Sequence, residues 1–173
     1  MSGKRVLTRN DWPFPQADRV ERLFGVVEMV CHGPVDDTGI AAAYDIDPRQ
    51  GAYYSNAAAF LGFITNRGGL WRPTADGQAL NAADDETRCR RIGEKILDKA
   101  VFREAAVHLA AYGELPPVEE IMDWVRADDR KLNSVTAERR AQTVHSWVSA
   151  VAEAAPDMIA ALGEEAMPAA RFG

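Results

Sequence analysis

The stretch Asp47 to Trp71, DPRQGAYYSNAAAFLGFITNRGGLW, constrains this chain more than any other. Asp47 is a good helix N-cap, and Pro48 takes the first helical position, where a missing N–H costs nothing. Tyr53, Tyr54, Ala57, Leu61 and Ile64 recur at three-and-four spacing and mark one apolar face. Gly62 suits a left-handed cap. Two short β-like runs, Phe63-Ile64-Thr65 and Leu70-Trp71-Arg72, then flank the turn Asn66-Arg67-Gly68-Gly69, which is a hairpin signal.

The chain before this stretch supplies what should precede such a helix. Residues 1–17 read as an arm, because Trp12-Pro13-Phe14-Pro15 cannot be helical interior. Asp18 caps an amphipathic helix with Val20, Leu23, Phe24, Val27 and Val30 in its stripe, and Gly33-Pro34 stops it. His32 is placed to meet the last carbonyls. A short helix from Thr38 to Tyr44 follows, capped by Asp36 or Asp37. Helix, short helix, longer helix and hairpin is the order of a winged helix-turn-helix, here expected over 18–82.

The second half repeats the plan without a hairpin. A long helical pattern runs from Asp84 to Gly113, and Gly93 or the crowding at Val101-Phe102 could split it. Its cations are interleaved with acids, six against five over 84–103, which reads as a solvated ion-pair face. Pro116-Pro117 start a short helix. Ser134 or Thr136 caps a strong one, with Ala137, Ala141, Val144, Val148 and Val151 inward. This gives a helical, helix-turn-helix-like unit over 84–155 and a tail over 156–173. The expected fold class is mainly α with a small β-hairpin.

Composition narrows the function. A hydrophobic fraction of 47% in 173 residues suits a globular chain, and no apolar run is long enough to span a bilayer. No secretory signal is read at the N-terminus, and Cys31 and Cys89 lack metal-ligand spacing, so a cytoplasmic protein with two thiols is expected. A net charge of -6 weighs against strong nonspecific DNA binding but leaves room for a local basic surface. His32, His108 and His145 lie on separate helices, and no phosphate loop, dinucleotide fingerprint or Ser/His/Asp order is present. No enzyme, cofactor or metal is expected.

The side chains that suit DNA fall in two places. With the apolar stripe of the last helix inward, Arg139, Gln142, Thr143 and Ser146 point outward, flanked by Arg140 and Trp147. Lys131, Asn133, Ser134 and Thr136 precede or open that helix, where free amides could meet a phosphate. In the Asp47 helix the outward face reads as Gly51, Ala52, Ser55 and Ala59, flanked by Arg49 and Asn56. That face is small, and permits close approach of DNA or of another protein's helix. The last helix is expected to enter the major groove, while Arg49 and the hairpin's Arg67 and Arg72 hold the backbone.

RQGAYYSNAAAFLGFI at 49–64, followed by RPTADGQAL at 72–80, resembles a winged-helix domain of bacterial restriction-type and other DNA-associated proteins. SVTAERRAQTVHSW at 134–147 is similar to the end of a region that accompanies it. The resemblance implies a role at double-stranded DNA, beside a nuclease or methyltransferase partner, in restriction or antiviral defence or in transcription regulation. A homodimer on a palindrome, or tandem units in one chain, would fit duplex geometry. The alternative is a non-catalytic adaptor whose winged-helix surface binds protein.

Overall fold

The computed structural model describes residues 20–166; the expected arm, the Asp18 cap and the end of the tail lie outside the described residues. The chain is mainly α with one small hairpin, as the periodicities require. The first half runs α1 (Val20–His32), α2 (Asp37–Tyr44), α3 (Pro48–Phe60), β1 (Ile64–Arg67), β2 (Leu70–Pro73) and α4 (Ala75–Ala82). α1 buries Leu23, Val26, Val27 and Val30 against α3, α4 and β2. Asp36 caps α2 by accepting from the Gly39 N–H at 2.8 Å, and Asp47 caps α3 by accepting from Arg49 at 2.8 Å. Thr74 caps α4 through Gly77 in the same way, at 3.1 Å. Each cap satisfies an otherwise orphaned helix amide.

β1 and β2 pair antiparallel, with Thr65 opposite Arg72 and Arg67 opposite Leu70. The turn is Gly68-Gly69, with φ of 66° and 86°. It is therefore two residues shorter than expected, since Asn66 and Arg67 belong to β1. Two positive φ values match the right-handed twist of the flanking strands, which the four-residue alternative would not need. Val35 forms an isolated antiparallel bridge to Trp71 and adds a minimal third strand between α1 and α2.

The second half comprises α5 (Asp85–Leu97), α6 (Ala100–Tyr112), α7 (Val118–Asp128), α8 (Ser134–Ala154) and α9 (Pro156–Ala166). The long pattern breaks at Asp98–Lys99, not at Gly93, whose missing side chain makes room for Met158. Gly113 ends α6 with φ of 75°. Asn133 caps α8 through Thr136 at 2.8 Å, in place of the expected Ser134 or Thr136. α8 is packed by α5, α6, α7 and α9. Pro156, expected as a stop, also opens α9, whose Ile159 and Leu162 are buried.

The halves expected as separate domains share one continuous core. Phe102 of α6 lies 6.3 Å from the ring of Phe60 in α3 and 5.4 Å from Trp147 in α8. Arg88 of α5 fastens the seam: it donates to the Leu80 and Asn81 carbonyls at 3.3 and 2.8 Å and covers Phe24 of α1 at 4.2 Å. The interleaved charges of α5 and α6 do form ion pairs, and three of them reach other helices: Arg90–Asp157, Lys95–Asp76 and Arg103–Glu165. Among the described residues, no helix is long and apolar enough to cross a membrane.

Candidate nucleic-acid interface

α3 is wedged between α1 and α2, so two of its faces are buried rather than one. Tyr54, Ala57, Ala58 and Leu61 enter the core. Gly51, Ser55 and Ala59 are buried too. A Cβ on Gly51 would lie 2.9 Å from the Asp37 carbonyl and 3.1 Å from the Ala41 Cβ, so this small-residue stripe lets α2 approach closely. This corrects the expected orientation. Ser55 is fully buried, its hydroxyl 2.5 Å from Asp37 Oδ1, and it is not available to DNA.

What remains outward on α3 is Arg49, Gln50 and Tyr53, with Asn56 half-buried beside them. Tyr53, expected toward the core, is 36% exposed. Arg49, Tyr53 and Asn56 recur at four-and-three spacing and so form one ridge. The sequence does not mark Gln50 and Tyr53 as outward residues. The signal was the small residues at 51, 55 and 59, whose spacing of four marks a close helix contact rather than a free face.

The hairpin sorts its side chains by alternation. Ile64 and Trp71 point into the core. Thr65, Arg67, Leu70 and Arg72 share the opposite face, so both arginines stand on one side of the ribbon. Neither they nor Arg49 take part in a described ion pair.

α8 offers less than its sequence suggested. Arg139 and Gln142 are exposed, and Gln142 lies 3.4 Å from Glu138, an acid on the same face. Thr143 is 4% exposed and donates to the Arg139 carbonyl at 3.0 Å, so it is a buried helix residue and not a contact. Trp147, expected on a flank, is fully buried. Arg140 is largely covered, 3.9 Å from Asp129. Lys131 is exposed, and Thr136 is half-buried. Ser134 accepts from Arg126 at 2.6 Å, and Asn133 is spent as the cap. Packing on four sides explains these differences: helical periodicity locates the centre of a buried stripe but not its width.

Elsewhere the histidines bond locally. His32 Nδ1 lies 2.8 Å from the Glu28 carbonyl, as expected at a helix end, and His108 Nδ1 lies 3.0 Å from that of Glu114. Burial, with the Glu28 charge behind it, pushes the Cys31 thiol up. Among the described residues, no group of three or more His, Cys, Asp or Glu could hold a metal ion.

No curated protein and no solved structure matches the chain. A family model described as "Domain of unknown function (DUF7226)" matches residues 22–155, from the start of α1 to the end of α8, across both halves and their shared core. The chain belongs to the DUF7226 family.

Proposed function

We propose that this protein binds duplex DNA, as a transcriptional regulator or as the recognition component of a restriction or defence system. Residues 20–82 are read as a winged helix-turn-helix with α3 as the recognition helix and the hairpin as the wing. The observation that carries the reading is the outward ridge of α3, Arg49, Gln50, Tyr53 and Asn56, beside a ribbon with Arg67 and Arg72 on one face. Arg, Gln and Asn are the side chains that make paired hydrogen bonds to base edges, and two arginines on a ribbon suit phosphates. The net charge of -6 weighs against strong nonspecific binding but leaves room for a local basic surface. Arg90, Lys95 and Arg103 are paired with carboxylates, whereas Arg49, Arg67 and Arg72 take part in no described ion pair. α8 becomes a supporting helix, with Arg139 and Lys131 as peripheral contacts.

One observation favours the adaptor reading. Tyr53 and Leu70 are 36% and 37% exposed on the same two elements, and a protein partner would cover such apolar side chains. The charge reversal Arg67→Glu with Arg72→Glu separates the readings when duplex binding is followed by fluorescence anisotropy at low salt. For a DNA reader, affinity falls by at least an order of magnitude and the salt slope flattens by about 2. Equal binding by both proteins would remove the wing from any DNA site.

A further inference from the structure

One side-chain hydrogen bond from α3 and one from the hairpin converge on a single oxygen of α2. Asp37 is the first residue of α2. Its Oδ1 accepts from Ser55 Oγ of α3 at 2.5 Å and from Trp71 Nε1 of β2 at 2.7 Å. Ser55 is fully buried and Trp71 is 3% exposed, so both donors are held in place by packing. The Ser55 hydroxyl also lies 3.1 and 3.2 Å from the Ala52 and Gly51 carbonyls. It has one proton, and the shortest contact, to a charged acceptor, takes it. Two main-chain bonds between Val35 and Trp71, at 2.8 and 3.4 Å, close the same junction.

The anchored residues are the immediate neighbours of the proposed contact residues. Ser55 sits between Tyr53 and Asn56 on α3, and Trp71 sits between Leu70 and Arg72 on β2. A shift of α3 breaks one bond to the carboxylate, and a shift of the ribbon breaks the other. We propose that Asp37 is a positioning residue that holds the arginine face of the hairpin in register with the outward ridge of α3. The two surfaces then meet a duplex as one rigid body. The inference rests on the DNA-binding reading above, but its mechanical half does not.

The test therefore has two arms. In the free protein, amide hydrogen exchange is compared for wild type, Asp37→Ala, Asp37→Asn and Trp71→Phe. Loss of both bonds in Asp37→Ala should speed exchange over 64–73 by about tenfold while α8 stays protected. Asp37→Asn retains an Oδ1 acceptor and should fall between. Trp71→Phe, which loses the donor and part of the buried ring, should free the hairpin and leave the Ser55 bond of α3 in place. Unchanged hairpin exchange in Asp37→Ala overturns the proposal, whatever the protein binds.

In the second arm, duplex affinity is followed against salt. Asp37→Ala should flatten the slope by about 2, because the two wing arginines no longer reach phosphate together with α3. Adding Arg67→Ala and Arg72→Ala should then change little. A full further loss from those arginines would show that the wing still docks, and would overturn the positioning role while leaving DNA binding intact. If wild type holds no duplex even at low salt, the DNA reading fails, and the exchange arm alone decides what Asp37 does.

Discussion

The two halves of the molecule are fastened by different chemistry. In residues 20–82, small side chains let backbones approach, and a carboxylate knot ties α2, α3 and β2 together. In residues 85–166, wide apolar stripes pack around α8, and ion pairs clip the outside. The first arrangement leaves a polar ridge of α3 exposed on a rigid seat. The second buries one broad stripe of α8 and leaves Glu138, Arg139 and Gln142 on its outer side. Both helices keep a face out of the core: that of α3 carries Arg49, Gln50 and Tyr53, and that of α8 carries Glu138, Arg139 and Gln142, with an acid among its polar groups.

Independent halves would unfold separately. Phe102 is fully buried between them, and Phe102→Ala should cost about 3–5 kcal/mol. Because the core is continuous, urea unfolding followed by tryptophan fluorescence and by far-UV dichroism should give one coincident transition for wild type and variant alike. Two separated transitions would mean that the seam is only a contact between domains.

A pair of glycines sharpens the contrast. Gly51→Ala drives a Cβ against the Asp37 backbone carbonyl and should cost about 1–3 kcal/mol despite the gain in helix propensity. Gly93→Ala meets the end of the Met158 side chain at 3.2 Å, which can yield, so its effect should stay within about 1 kcal/mol. Chemical denaturation of the two variants side by side measures the difference. Equal costs would mean that the α2–α3 contact is no tighter than the α5–α9 one.

Much of this was legible from local signals. The Asp47-Pro48 start of α3, the stripe of α8 and the presence of a hairpin, though not the length of its turn, all follow from chemistry within a few residues. The facing of α3 was not, because it depends on two partners. A buried Ser55 looks polar and outward until Asp37, eighteen residues away, is known to receive its proton. The burial of Thr143 and Trp147 likewise depends on how many helices gather on α8. The shared core was hidden for the same reason: Phe60, Phe102 and Trp147 are distant in sequence and carry no local mark of one another.

Smaller effects divide the halves further. In the DNA reading, Arg139→Glu on α8 should weaken duplex binding by only a few-fold, far less than reversal of Arg67 and Arg72. A loss equal to that of the wing variant would restore α8 to the interface. The weakest effect is in acid. The Asp84 carboxyl, capping α5 through Thr87, and the Asp157 carboxyl, paired with Arg90, are both held below the usual carboxylate range. Groups lowered in the folded state add stability that is complete above the unfolded value and lost as pH falls through the folded one. Asp84→Asn with Asp157→Asn should therefore flatten the fall of the urea midpoint below about pH 4. An unchanged acid limb would mean that these two exposed contacts add nothing to the fold.

The proposed reading of duplex DNA by α3 and the hairpin can be tested by selection from a random-sequence duplex pool. Wild type should be run at two salt concentrations beside a variant with Gln50→Ala and Asn56→Ala. Wild type should give an enriched motif and weaken steeply with salt, and the variant should lose the motif while keeping nonspecific binding. No retention of any duplex by wild type at low salt, or the same motif from the variant, would contradict it.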